Sequence, residues 1–247
     1  EVSLPEDLVY IYTMEVDGTD DESIRAQVEF RIEENVPLKI DDAVFDVTHV
    51  LYLKESNKSL VSVAVTSRKD VEDYISLFRK ASMEVVSFLV QNQALSKTLI
   101  SKHDDNPYCI VTVEKRNVVV SIVSQGIVLY TSTLAQSVFN ADLTLEQKDV
   151  FQDLVKDISK VIIFWLSYID KNPGYHFKPL KAILLNSTHK EILESDFAHI
   201  LHRELNLDVH SADVWVNVPM PEGAVPDINK KDSYQYATAI GLAMPKI

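Results

Sequence analysis

The chain has 247 residues, of which 46% are hydrophobic, and this is enough apolar material for one large domain or two smaller lobes. Its formal net charge of -13, from 37 acidic and 24 basic residues, repels polyanions within about a Debye length. The charge therefore argues against DNA, RNA and anionic lipid surfaces as direct partners. The hydrophobic content excludes a disordered chain.

The only cysteine, Cys109, excludes an internal disulfide and has no Cys or His neighbour at metal-ligand spacing, so a buried, unreactive thiol is the favoured interpretation. The longest apolar run, Val161 to Leu166, is much shorter than the roughly 18 residues of a membrane span. Nothing therefore demands an oxidising compartment, and we expect any membrane role to come through a partner. The chain begins at Glu1 without an initiator Met or a leader pattern, as a shortened or processed chain would.

The first half of the chain alternates between strand and helix patterns. Ile24, Val28 and Ile32 recur every four residues after the capping-box pattern that starts at Thr19, which predicts an amphipathic helix. The predicted elements are a strand over Val9–Val16, a helix ending before Pro37, strands over Ala43–Leu53 and Leu60–Thr66, a helix from Ser67, a strand over Met83–Phe88 and a helix over Gln91–Ile100. Residues 15 to 88 thus have a β-α-β-β-α-β order.

The polar segment Lys102–Pro107 is the clearest break in the first half, and we place the main boundary between two lobes there. Behind it we predict strands over Tyr108–Val113, Val118–Val123 and Ile127–Leu134, a long helix from the capping pattern at Thr144 to Ile169, a strand over Lys181–Leu185, a helix over Glu194–Leu205, an extended segment over Val209–Val218 and a helix over Tyr234–Leu242. The predicted domains are a first lobe at 1–106 with an inserted subdomain at about 15–84, a second lobe at 107–227, and a C-terminal helix at 228–247 that returns to the first lobe.

Three segments resemble one family. The run from Ile24 to Leu38 with the following Phe45-Asp46-Val47, the segment Arg79–Met83 and the ending Asp232–Ala243 are similar to motifs of PilM-like type IV pilus assembly proteins, which belong to the actin-like superfamily with FtsA. The resemblance implies an α/β, actin-like (ASKHA) two-lobe fold with an inserted α/β subdomain in the first lobe. The N-terminal phosphate-binding hairpin of that family is missing ahead of Leu4.

The nucleotide motifs that the resemblance implies are degenerate. In the segment Val111–Val118, Thr112 replaces the family's acid, Glu114 a glycine and Val118 a threonine. Without the glycine, backbone N–H groups approach a phosphate less closely, and a carboxylate repels it. The positions that would correspond to nucleotide contacts are Thr112, Glu114, Lys115, Arg116, Asn117, Asn186, Ser187 and Thr188. We therefore expect no enzyme activity and no cofactor, with ATP and Mg²⁺ disfavoured.

Other polar groupings have plainer interpretations. Lys115 and Arg116 could attract an anion in place of the lost glycine loop, but turns commonly carry solvated charge. The histidines at 199, 202 and 210 lie near Glu204, yet without a zinc motif they favour surface positions. The acids Asp41, Asp42 and Asp46 favour the solvated edge of a strand.

The resemblance implies a cytoplasmic scaffold of a type IV pilus or related secretion or competence assembly. Such a protein binds a short N-terminal peptide of a PilN-like inner-membrane partner between the first lobe and the inserted subdomain. The expected peptide contacts are Phe45, Val47, Tyr52, Val71, Ile75 and Phe78. The acidic surroundings favour a basic peptide. An actin-like ATP-binding switch or ATPase, an FtsA-like cell-division scaffold and self-association stay open as alternatives.

Overall fold

A computed structural model describes residues 1–114, 117–135, 147–187, 192–193, 196–221 and 223–245. The strands in this part of the chain form a three-stranded sheet, a five-stranded sheet and a two-stranded parallel pair. No helix within these ranges combines the length and the apolar character that a membrane span needs.

The three-stranded antiparallel sheet has the order β2-β4-β3, with β2 at Val9–Asp17, β3 at Ala43–Leu53 and β4 at Lys58–Ser67. Helix α1, Asp21–Asn35, follows β2, and the Asp20 carboxylate accepts the Ser23 N–H at 2.9 Å. Asp20 is thus the N-cap of the predicted helix. The apolar side of α1 covers one face of the sheet, as its four-residue spacing predicts, through Ile24, Val28, Ile32, Val61, Val63 and Val65.

Helix α2, Arg68–Lys80, leads to strand β5 at Phe88–Val90. The prediction of a strand over Met83–Phe88 that completes the inserted unit is wrong, because β5 begins at Phe88 and pairs in parallel with β1, Val2–Leu4. The backbone explains the shift. Ser82 has a φ of 59° and the Met83 N–H bonds back to the Phe78 carbonyl, so the residues after α2 close a turn.

The five-stranded sheet has the order β10-β9-β6-β7-β8. Its first three strands, β6 at Tyr108–Val113, β7 at Asn117–Ser124 and β8 at Ile127–Ala135, form the predicted antiparallel meander. The turn between β7 and β8 uses Gln125 and Gly126, both at positive φ, as a tight hairpin requires. Strand β9, Ala182–Ser187, adds in parallel to β6, and β10, Val209–Ser211, adds in parallel to β9.

Both faces of this sheet are covered. Helices α4, Gln147–Lys171, and α5, Phe197–Leu205, contribute to the core on one side. On the other side a second core joins the sheet to β1, β2, β5 and helix α3, Gln91–Leu99. This second core contains residues from both predicted lobes, so they meet through a continuous apolar contact. The capping pattern at Thr144 lies outside the described residues, and so do 194 and 195, at the predicted start of α5.

The segment after β10 departs from the prediction of an extended run to Val218. Asp213 accepts the Trp215 N–H at 3.0 Å through its side chain, and the Val218 N–H bonds to the Trp215 carbonyl, so the chain turns here. The chain ends in a short helix α6, Lys230–Ser233, a 3₁₀ turn over Tyr234–Tyr236 and helix α7, Ala237–Ala243. Helix α7 packs on α3, where Thr98 Oγ1 donates to the Ala237 carbonyl at 2.8 Å.

Candidate functional site

The second face of the three-stranded sheet is covered only in part. Strand β4 is held against the rest of the molecule, since Ser62 Oγ donates to the Val128 carbonyl at 2.6 Å and Thr66 Oγ1 donates to the Leu8 carbonyl at 2.8 Å. Both side chains are buried. Strand β3 lies at the sheet edge beside β4, and its residues on this face are half-buried or exposed. A column of β3 side chains therefore extends beyond the part of this face that the rest of the molecule covers.

A chain of cavities runs beneath this column, and we call it the β3 groove. It consists of four cavities among the described residues, counted from the Val44 end of β3 toward Leu53. Asp46 and Gln93 line the first and the second, Ile127 lines the second and the third, and Tyr175 and His176 line the third and the fourth. Neighbouring cavities therefore share walls. The β3 residues that line them extend from Val44 to Leu53, about 30 Å at the rise of an extended strand.

The two ends of the β3 groove differ in character. The first end has a volume of about 150 Å³ and mainly apolar walls, from β1, β2, β3, β4, α2 and β5. The far end is wider, with a volume of about 490 Å³, and lies between the β3–β4 hairpin and the 3₁₀ turn Pro173–Tyr175. There the Tyr175 hydroxyl donates to Glu15 Oε1 at 2.8 Å, and Glu15 also pairs with Lys58 at 3.0 Å. The far end thus has a hydrogen-bonded, ion-paired carboxylate in its wall.

Helix α2 borders the apolar end. Its Val71, Tyr74, Ile75 and Phe78 form a stripe at helical spacing, yet none of them is buried. The Tyr74 ring meets the Phe88 ring edge to face, with 6.4 Å between the ring centroids. An amphipathic helix whose apolar stripe stays half-covered offers surface to a further apolar group.

The structure brings together some of the predicted peptide contacts and separates others. Val71 lines the apolar end of the β3 groove, and Phe45 borders it, but the Phe45 ring packs on the α1 side of the sheet beside Arg25. Ile75 and Phe78 continue the α2 stripe, outside the cavity wall. Val47 packs on the α1 side of the sheet. Tyr52 lies at the far end, where its hydroxyl donates to Asn57 Oδ1 at 2.8 Å.

Two arginines cover part of the free edge of β3. Arg25 Nη2 donates to the Phe45 carbonyl at 3.4 Å, and its guanidinium lies 4.3 Å from the centroid of the Phe45 ring. Arg68 Nη2 donates to the Ala43 carbonyl at 3.1 Å. These bonds satisfy edge carbonyl groups that would otherwise be free for another strand. A ligand at this end of the groove therefore meets β3 through its side chains.

The positions predicted for a nucleotide lie elsewhere, at the carboxyl ends of β6 and β9. Thr112 and Asn186 face each other across these parallel strands, and Ser187 Oγ donates to the Val113 carbonyl at 3.1 Å. Thr112 Oγ1, Asn186 Oδ1 and Asn117 Oδ1 are buried without a partner among the described residues. The structure thus gathers these polar positions at one edge of the sheet. Lys115, Arg116 and Thr188 lie outside the described residues.

Two carboxylates approach the N-terminus of α3 near this edge. Glu6, which is 5% exposed, accepts the Asn92 N–H through Oε1 at 2.8 Å, while the Asn92 side-chain amide donates to Ser121 Oγ. Gln91 Nε2 donates to Glu114 Oε1 at 2.5 Å. The pKa of Glu6 is raised to about 7, mainly by burial and to a lesser degree by the nearby charge of Glu114, while the hydrogen bond from Asn92 lowers it. The chain's own carboxylate thus occupies the anion position at this helix N-terminus.

Sequence reasoning missed Glu6, Gln91 and Asn92, because the contact between Glu6 and Asn92 joins residues 86 positions apart and no local pattern marks it. The other polar groupings have ordinary surroundings. His202 Nδ1 lies 2.8 Å from the Leu207 carbonyl, and no group of three potential metal ligands occurs among the described residues. Cys109 is buried, as predicted, and burial raises the pKa of its thiol to about 12.

Comparison with known proteins gives structural matches only. No protein-family model and no curated protein sequence matches the chain. A chain of the "PilM-PilN type IV pilus biogenesis complex" is similar, with a TM-score of 0.78 and 17% identity over 98% of this chain and 77% of that chain. This chain has the same fold. The likeness confirms the predicted α/β fold as the one that this PilM-PilN chain has, and at this identity it shows the fold alone.

Two further structures are more distant. The cytoplasmic domain of EpsL, an inner-membrane component of the type II secretion system of Vibrio cholerae, matches with a TM-score of 0.48 and 9% identity over 75% of this chain and 60% of that one. A Bacteroides thetaiotaomicron protein with an actin-like ATPase fold matches with a TM-score of 0.41 and 11% identity over 84% of this chain and 66% of that one. Both TM-scores are below 0.5, so neither likeness bears on the fold.

Proposed function

We propose that the chain is a scaffold of a pilus or secretion assembly that holds a short, extended peptide of a PilN-like inner-membrane partner in the β3 groove. The observation that carries this proposal is the row of adjoining cavities beneath β3, which share wall residues. It is open, about 30 Å long and lined by apolar side chains at one end. An extended segment of eight to ten residues would fill this length, at about 3.3 Å per residue. The likeness to a PilM-PilN chain supports the choice of partner.

The surface charge supports a basic ligand. The chain has a formal net charge of -13, which attracts a cationic peptide over several ångströms and accelerates its encounter. Apolar anchors in the end cavity would then provide most of the affinity, because they leave water on binding. Added salt would slow association more than it speeds dissociation.

We also propose that the scaffold works without hydrolysing ATP. A triphosphate at the edge of β6 and β9 would approach Glu114, a carboxylate that costs electrostatic energy beside an anion. The helix N-terminus that could bind a phosphate already binds Glu6. A partner peptide, and not a nucleotide, would then control the protein.

Selection from a peptide library tests the binding site. A phage-displayed library of random ten-residue peptides is panned on the wild-type protein, and enriched peptides are synthesised with a fluorescent label for anisotropy titrations. Val71→Asp places a charge in the apolar end of the groove, and we expect at least a tenfold loss of affinity. Val86→Asp is the matched control, because Val86 is 84% exposed and lies outside the groove. Peptides that bind both variants equally, or a library without enrichment, would contradict the proposal.

A thermal shift with Mg-ATP tests the second part. A ligand at about 100 times its Kd stabilises the folded state by roughly 2.7 kcal/mol, which raises the Tm of a chain of this size by several degrees. We expect no shift at millimolar Mg-ATP. A clear shift that Glu114→Gln alters would favour an ATP-binding switch instead.

A further inference from the structure

Four β3 side chains form the roof of the groove, and we call them the open column. They are Val44, Asp46, Thr48 and Leu51, which lie opposite Thr66, Ala64, Ser62 and Leu60 on β4. The register shifts between His49 and Leu51, so Val50 is an extra residue. At this bulge Leu51 joins Val50 on the groove face, and both residues line the same cavity. The open column therefore reads apolar, acidic, polar, apolar.

Asp46 holds the only charge in the open column. Its side chain is exposed and lies where the first two cavities of the groove adjoin. Ala64, Val90 and Gln93 line both of these cavities with it. Neither a hydrogen bond nor an ion pair reaches its carboxylate from the described residues. Arg25, which lies over the neighbouring Phe45, is engaged by the carbonyl and the ring of that residue. The carboxylate is thus available to a cation from outside the chain.

The spacing of the open column along β3 predicts the spacing of the complementary side chains in a bound peptide. Side chains on one face of an extended strand repeat every two residues, and a peptide that runs along β3 has the same repeat. On the β4 ladder, Val44 lies two positions from Asp46 on one side, and Leu51 lies four positions from it on the other. Apolar peptide side chains at these distances would enter the two cavities on either side of the acid.

We propose that the β3 groove selects an extended peptide with a Lys or Arg side chain against Asp46, an apolar side chain two residues away against Val44, and another four residues away on the opposite side against Leu51. This inference rests on the proposed function and names the chemistry of the partner. The acid contributes specificity more than affinity, because a peptide with Asp or Glu at that position is repelled and leaves a carboxylate unpaired in the groove.

A charge swap tests the proposal. The same ten-residue library is panned separately on the wild-type protein, Asp46→Lys and Asp42→Lys, where Asp42 is an exposed acid outside the groove. We expect Lys or Arg to be enriched two residues from one apolar position and four from another on the wild type and on Asp42→Lys. On Asp46→Lys we expect Asp or Glu at that position. Anisotropy titrations then measure the selected basic peptide, and Asp46→Asn should weaken it roughly 3- to 10-fold.

The outcomes distinguish the role of Asp46 from peptide binding in the groove. Peptides that lose binding in Val71→Asp but show no basic position and no response to Asp46→Asn would overturn the role of Asp46 and keep the groove. A library without groove-dependent peptides would overturn both. Sedimentation of the protein alone addresses another occupant, since a dimer that Val71→Asp abolishes would place a second copy in the groove and contradict the proposal.

Discussion

The two larger sheets of this chain differ in how their faces are covered. The five-stranded sheet has a core on each face, and its central strands β6, β7 and β9 are almost entirely buried. The three-stranded sheet has a full core only beneath α1, and its other face leaves the β3 column open. Stability should therefore depend mainly on the first sheet, while the second provides surface for a ligand. Substitutions in the two regions are expected to separate these properties.

The largest loss of folding stability is expected on substitution of Trp165, which lies in the core on one face of the five-stranded sheet. The side chain is 2% exposed, and its ring centroid lies 5.5 Å from that of Tyr168 and 5.7 Å from that of Phe177. Trp165→Ala removes this packing and leaves a cavity, so we expect about 4 kcal/mol less free energy of unfolding by urea titration. Ile163→Ala is the control on the same helix, where the side chain is 58% exposed and the loss should stay below about 1 kcal/mol. Similar losses in both variants would contradict the assignment of α4 to the core.

Glu6 should make stability depend on pH. Its pKa rises from 4.5 to about 7 on folding, so the folded state binds a proton more readily than the unfolded state between these values. The free energy of unfolding should therefore fall as pH rises from about 4.5 to 7, by up to about 3 kcal/mol, and stay at the lower level above pH 7. Glu6→Gln keeps an acceptor for the Asn92 N–H and removes the charge. We expect it to be more stable than the wild type at pH 8 and about equal at pH 4.

Urea titrations at pH 4, 6 and 8 measure this effect. Glu84→Gln serves as the control, because Glu84 is exposed between α2 and β5. A wild-type pH profile that Glu6→Gln leaves unchanged would show that this carboxylate is not buried against α3 in solution.

An intermediate loss is expected where α7 returns to α3. A Cβ on Gly241 would overlap the Ala94 carbonyl group, so Gly241→Ala must move α7 away from α3. We expect a loss of about 2 kcal/mol in urea. Gly174→Ala meets no atom within 4 Å and should change stability by less than about 1 kcal/mol. An unchanged Gly241→Ala would mean that the two helices are farther apart than the structure places them.

The smallest change in stability is expected in the groove itself. Val71 is half-buried, so Val71→Ala should cost less than about 1 kcal/mol of folding free energy. The same substitution should weaken a groove-selected peptide severalfold, since its apolar contact is lost. Anisotropy and urea titrations of one protein sample compare the two effects. A large loss of stability would place Val71 in the core and undermine the contrast between the sheets.

Much of the fold follows from local patterns. The four-residue spacing of Ile24, Val28 and Ile32 predicts α1 and its buried side, and alternating apolar segments predict the β6–β7–β8 meander. The prediction of a strand over Met83–Phe88 was wrong because the position of a strand depends on its pairing partner, and β1 pairs with residues 88 to 90. The extended run to Val218 failed because the Asp213 side chain closes a turn.

The candidate site was less predictable. Val71 was named from the family resemblance and lines the β3 groove, whereas the side chains of Phe45 and Val47, two residues apart on β3, both pack on the α1 side of the sheet. Alternation along a strand separates two sets of side chains, but it does not say which set a helix covers. Asp46 was interpreted as a solvated edge acid, and only the neighbouring cavities show that it lies in a groove.

The sequence by itself determined the strongly acidic charge and the types of most elements, because charge and periodicity are local properties. Tertiary structure decided the rest. The bulge at Val50, the open column of β3 and the burial of Glu6 against Asn92 all depend on contacts between distant residues. Burial and register are properties of a packed surface, and each residue acquires them only from its neighbours in space.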